Sequence, residues 1–170
     1  MVPRMAPATS GDGGSGGPPL QLHLRYAAPR RGLPAARSFR RWTALALRAA
    51  GHDDAAELSL RIVGAREARQ LNRRYRGRDY ATNVLSFPAE LPAGVELPLL
   101  GDIVLCAPVL AREARAQGKP LAAHCAHLCI HGVLHLLGYD HHRRIDAARM
   151  EALEITALAA AGIADPYLPR

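Results

Sequence analysis

The stretch HGVLHLLGYDH, residues 131 to 141, holds three histidines whose types and spacing suit a metal site: His131, His135 and His141. On a helix, the four-residue step from His131 to His135 is about 6 Å of rise and about 40° of rotation, so both imidazoles can converge on one point. A helix that continued would carry His141 about 15 Å along the axis from His131, beyond reach of the same ion. The helix must therefore stop, and Gly138 suits the stop because glycine adopts positive φ at little cost. Tyr139 and Asp140 then turn the chain so that His141 closes the site. The result is the metzincin ligand spacing, H-x-x-x-H-x-x-G-x-x-H.

Neutral imidazoles suit Zn²⁺, one ion per chain, and three protein ligands leave a fourth position open, as in catalytic zinc sites. Ligand type alone also admits nickel, copper or iron. Gly132 stands where the peptidase signature H-E-x-x-H carries its glutamate base. That counts against proteolysis and for a reaction whose base is supplied differently. Asp140 can orient a ligand, act as that base or serve the turn, with the first and last roles favoured. His127, one turn before His131, suits either an outer partner of the ligands or a satisfied core histidine. Cys125 and Cys129 share a helical face near the site, but they read better as small buried hydrophobes. Met150 reads as core.

These residues need a scaffold, and the periodicity supplies one. LQLHLRYA (20–27) and ELSLRIV (57–63) alternate as strands; TNVLSF (82–87), closed by Pro88, and LGDIVLCA (100–107) complete a small sheet. Helices are predicted over 38–50, with Ser38 as N-cap and Gly51 as stop, over 65–76, and over 108–118. A long apolar helix over 120–137 carries the first two histidines, and a last helix spans 144–161. The order β-α-β-α-β-β-α-α-α predicts a single α+β domain with a small mixed β-sheet packed with helices, over residues 20–170. Residues 1–19, rich in Gly, Pro and Ser and without the apolar core of a secretory signal, are expected to form a disordered tail.

The chain of 170 residues is 49% hydrophobic, enough for one core. It has no apolar run long enough for a membrane span. Three cysteines without framework spacing point to a reducing compartment. The net charge of +7, carried by arginines with Lys119 as the one lysine, hints at a polyanionic partner.

HGVLHLLGYDH, LNRRYRGRDYATNVLSFP (71–88), LGDIVLC (100–106), AHCAHLCIHG (123–132), MEALE and DPY occur in this order. Together they resemble the YbeY-type bacterial rRNA maturation factors, over about residues 20–167. The resemblance implies a zinc-dependent endoribonuclease of single-stranded RNA, cytoplasmic, acting in 16S rRNA 3′-end maturation and ribosome quality control on the small subunit. No DNA and no membrane partner is expected. It also implies zinc ligation by His131, His135 and His141 and a catalytic role for Arg76. A guanidinium can stabilise the charge that builds on a pentavalent phosphorus. Arg73, Arg74 and Arg78 are its basic neighbours and would rim the site for the RNA backbone. Ser86 could contact substrate or be an ordinary strand hydroxyl. Tyr75 and Tyr80 could stack on bases, with core packing favoured. Two rivals remain: a metalloprotease, and a ribosome assembly factor whose zinc is structural.

Overall fold

Alternating apolar residues build the sheet in the computed structural model, which describes residues 19–169. The strands are β1 (Leu20–Ala27), β2 (Ala56–Val63), β3 (Val84–Pro88) and β4 (Leu99–Cys106). Their order is β1-β2-β4-β3; β1 and β4 flank β2 in parallel, and the edge strand β3 runs antiparallel to β4. The helices are α1 (Ala36–Ala49), α2 (Ala65–Arg76), α3 (Ala107–Ala116), α4 (Leu121–Leu136) and α5 (Arg144–Ala160). This is the expected α+β fold with a mixed sheet. The expected tail lies outside the described residues except for Pro19, whose carbonyl accepts a hydrogen bond from the Ala56 amide.

Leu58, Leu60, Ile62, Ile103 and Leu105 point to one face of the sheet and meet Phe39 and Trp42 of α1 and the apolar residues of α4 and α5 in one core. Val63, Leu85, Val104 and Cys106 point to the other face, where Ala68 and Leu71 of α2 and Val109 of α3 cover them. Helix α4 is buried on nearly all sides, from Cys125 to Leu136. That accounts for its continuous apolar run, and it makes α4 a rigid base for the histidines. Cys125 and Cys129 lie in this core as free thiols, each pushed by burial up to about 12, so neither offers a thiolate.

Two expectations need correction. Ser38 is not an N-cap: α1 begins two residues earlier with Ala35 in the capping position, because Pro34 already sets the chain direction there. Tyr75 and Tyr80 are not core residues, being 57% and 53% exposed. Tyr75, in the last turn of α2, rests edge-on against Phe87 of β3 with ring centroids 5.2 Å apart.

Candidate metal centre

Helix α4 ends as the sequence requires. The amide of Gly138 donates to the carbonyl of His135 and that of Tyr139 to Leu134, with Gly138 at φ 94°. These two bonds form a Schellman motif, which needs the left-handed residue that glycine provides. Beyond it, Oδ1 of Asp140 accepts hydrogen bonds from the amides of His141 (2.6 Å) and His142 (3.1 Å). Asp140 thus does turn chemistry: it fixes the backbone that presents His141, and among the described residues it makes no hydrogen bond to the rings of His131, His135 or His141.

One nitrogen from each of His131, His135 and His141 lies within 4.8 Å of the others. His131 Nε2 and His135 Nε2 are 3.0 Å apart. Nitrogens about 2.0–2.1 Å from a tetrahedral zinc sit about 3.3 Å from one another, so the cluster needs only small adjustments to hold one ion. His131 and His135 are half-buried and His141 is exposed, which leaves the site open to solvent on the His141 side. Burial, and then the neighbouring His131 and His141, hold the pKa of His135 down to about 4. At neutral pH it is the neutral imidazole that a metal requires.

The residue that orients His131 escaped the sequence reading. Glu154 of α5 is fully buried, and its Oε1 accepts a hydrogen bond from His131 Nδ1 at 2.5 Å. This bond assigns the proton to Nδ1 and turns the Nε2 lone pair toward the cluster. The other oxygen, Oε2, accepts from His127 Nε2 at 3.1 Å and from the Tyr167 hydroxyl. His127 is therefore joined to His131 through a shared carboxylate. Burial by itself would raise the pKa of Glu154, but the hydrogen bonds from His127, His131 and Tyr167 outweigh it and bring it to about 2. Its folded value lies below its ordinary 4.5, so its contribution to stability is fully present above about pH 4.5 and is lost as pH falls toward 2. A signal existed in MEALE. Met150, Glu154, Ala157 and Leu158 are the buried positions of α5, and a glutamate on that stripe demands buried partners.

Replacing Glu154 with glutamine removes the charge and keeps the shape. Metal affinity is expected to fall about 10–100-fold, read by competition with a chromophoric chelator, with the far-ultraviolet circular dichroism unchanged. Unaltered affinity would remove Glu154 from the site.

The remaining candidates lie around β3. Ser86 faces α4, and its hydroxyl donates to the carbonyl of Gly132 at 3.4 Å. Gly132 itself is pressed against the sheet: a Cβ there would meet Ile103 at 3.0 and 3.2 Å and Ser86 Oγ at 3.3 Å. A side chain at that position requires the Ile103 side chain and the Ser86 hydroxyl to give way by a few tenths of an ångström. Arg76 is the last residue of α2, exposed, and makes no hydrogen bond or ion pair among the described residues. Arg73 and Arg74 share its turn and Arg78 follows Gly77; all are exposed, and the Arg74 guanidinium lies 5.3 Å from the Tyr75 ring. Two contacts fix the loop after Arg76: buried Asn72 donates to the carbonyl of Tyr80 at 2.8 Å, and Arg69 pairs with Asp79 at 2.8 and 3.0 Å. That loop leads directly to β3 and Ser86, so the arginine group and the histidines flank the same edge strand from opposite faces of the sheet.

Comparison with known proteins follows the same outline. The family model described as Endoribonuclease YbeY matches residues 33–162. A relative from Stenotrophomonas maltophilia (strain K279a) named "Endoribonuclease YbeY" is 60% identical over 152 residues, 87% of this chain and 93% of its own. One from Alkalilimnicola ehrlichii with the same name is 58% identical over 153 residues, 88% and 92% of the two chains. The solution structure of TM1509 from Thermotoga maritima is similar in fold, with a TM-score of 0.54 at 19% identity over 88% of this chain and all of that one.

Proposed function

This chain belongs to the YbeY endoribonuclease family, and we propose that it is a zinc-dependent endoribonuclease that cleaves single-stranded RNA. Its substrate in this reading is the 3′ region of 16S rRNA on the small ribosomal subunit, in maturation and quality control, and its location is the cytoplasm. The observation that carries the reading is the convergence of His131, His135 and His141 on one open point, with Gly132 where a peptidase has its base.

Zinc, when bound by the three imidazoles, supplies Lewis-acid polarisation of the scissile phosphate. The chain's own residues do the rest. Glu154 keeps His131 in the tautomer that presents Nε2, and its negative charge behind the ring would raise the basicity of that nitrogen toward a metal. Arg76, exposed at the end of α2 and without a hydrogen bond or ion pair among the described residues, is available to hold two phosphate oxygens and to stabilise developing charge. Arg73, Arg74 and Arg78 attract the backbone on either side, an interaction that weakens with salt. Ser86, on the α4 side of β3, has a hydroxyl that can turn from Gly132 to a phosphate oxygen. The nucleophile is either water or the ribose 2′-OH; a 2′,3′-cyclic phosphate at the product end identifies the latter. In that case DNA is not a substrate.

Two rivals predict different behaviour. A peptidase of the H-E-x-x-H type needs a glutamate at position 132, where this chain has a glycine packed against the Ile103 side chain. An assembly factor with structural zinc binds ribosomes without cutting RNA. The test is to incubate metal-quantified protein with single-stranded RNA, duplex RNA and casein. Cleavage of the single strand alone is expected. Casein digestion, or intact RNA with a fully metal-loaded protein, would replace this reading with a rival.

Among the described residues no helix is long and apolar enough to cross a membrane.

A further inference from the structure

Strand β3 lies at the edge of the sheet, and its ladder with β4 fixes which of its amides face outward. The Cys106 amide donates to the Asn83 carbonyl at 2.9 Å, and the Ala89 amide to the Leu100 carbonyl at 2.9 Å. Both pairs continue the register that runs from Val84↔Leu105 to Pro88↔Gly101. Hydrogen-bonded and non-bonded pairs alternate in an antiparallel ladder. Leu85 and Phe87 therefore bond to β4, while Val84 and Ser86 turn their N–H and C=O groups to the free edge. Pro88, which has no N–H to offer, takes the next outward position, the one an edge strand allows a proline. Val84 and Ser86 are partly exposed, and among the described residues no group outside the sheet bonds to their amides.

This open edge runs beside the histidines. Val84 lines a cleft of about 580 Å³ together with His127, Leu128 and His131. Ser86 meets the Gly132 carbonyl, and a Cβ on Gly101, opposite Pro88, would meet Leu136 at 3.0 Å. Strand and helix thus advance in the same direction, and the outward amides follow the row that holds His131 and His135. On the other face of β3, Tyr75 touches Phe87 and brings the arginine-rich end of α2 to the same strand. The β3 edge is the surface that the arginines and the histidines share.

We propose that the free edge of β3 holds the backbone of the RNA strand: the amides of Val84 and Ser86 donate to oxygens of successive phosphates, and their carbonyls accept from ribose 2′-hydroxyls. The proposal rests on the ribonuclease reading above. The outward groups repeat every two residues, about 6.8 Å, on the scale of one nucleotide of an extended strand. An RNA backbone alternates acceptors with the 2′-OH donor, as the edge alternates N–H with C=O. An extended polypeptide could add to the same edge, but it would give the neighbouring arginines no phosphates to pair with. A duplex winds its backbone away from a straight edge, so the site admits an unpaired strand.

The test is amide hydrogen exchange by NMR on the zinc-loaded protein, alone and with an excess of a single-stranded RNA decamer, with cleavage read in the same samples. Alone, Leu85 and Phe87 are expected to exchange slowly and Val84 and Ser86 fast. With RNA, Val84 and Ser86 are expected to slow at least about tenfold. DNA of the same sequence, which lacks the 2′-hydroxyl, is expected to bind about tenfold more weakly. Val84→Pro removes one donor without breaking a ladder bond and is expected to weaken RNA binding about tenfold. Unchanged exchange at saturating RNA, equal binding of DNA, or protection of these amides by unfolded casein and not by RNA overturns the site. The exchange pattern of the wild type decides the matter even if the variant folds poorly. Protection without cleavage counts against the nuclease reading and leaves the edge site standing; cleavage without protection does the reverse.

Discussion

Substituting His135 with alanine is expected to reduce bound metal from one ion per chain to a small residue and to slow single-strand RNA cleavage at least about a thousandfold. The reasoning starts from the ligand count. His131, His135 and His141 are the only group of its kind among the described residues, and two imidazoles without the third make a poor chelate. Losing several kcal/mol of charge stabilisation, about 4, corresponds to a factor of about a thousand in rate. The fold should survive, because His135 is half-buried at the end of α4 and lies outside the set of fully buried side chains that form the core. Metal content by plasma mass spectrometry, paired with thermal melting, checks both parts. Global unfolding of the variant would favour a structural metal and with it the assembly-factor reading.

Arg76→Ala should have an effect almost as large on cleavage and none on the metal. Arg76 is exposed, ends α2 before the αL glycine Gly77 and has no hydrogen bond or ion pair among the described residues, so the substitution removes no such contact there. Removing one group that stabilises transition-state charge slows catalysis about a hundredfold to a thousandfold. Arg76→Lys should recover little of this, since an ammonium lacks the planar fork that grips two phosphate oxygens. Arg73→Ala is the contrast: a modest loss of binding at every sequence, with the salt dependence reduced by about one ion. Steady-state cleavage and salt-titrated binding distinguish the two. Equal losses from Arg73→Ala and Arg76→Ala would make Arg76 one of a general basic rim.

The parts of the site that local spacing controls were legible in the sequence. The step from His131 to His135, the stop at Gly138 and the return to His141 follow from helix geometry and one glycine, and each appears in the structure. The buried α4 declared itself as a long apolar run. Glu154 was not legible as a partner of His131, because 23 residues and a turn separate them and only the packing of α5 on α4 brings them together. Tyr75 and Tyr80 misled for a related reason. Their aromatic character suggested burial, but both lie at the surface, Tyr75 edge-on to Phe87. Ser38 looked like a cap because the capping preference is strong, whereas the helix starts at Ala36 with Ala35 in the capping position and Pro34 just before it.

The most direct test of the central claim is a zinc titration of the metal-free protein with single-strand RNA cleavage as the readout. Activity is expected to rise in proportion to added zinc and to level off at one ion per chain, with His135→Ala showing no rise. Full cleavage by the metal-free protein, or a plateau unrelated to that stoichiometry, would contradict it.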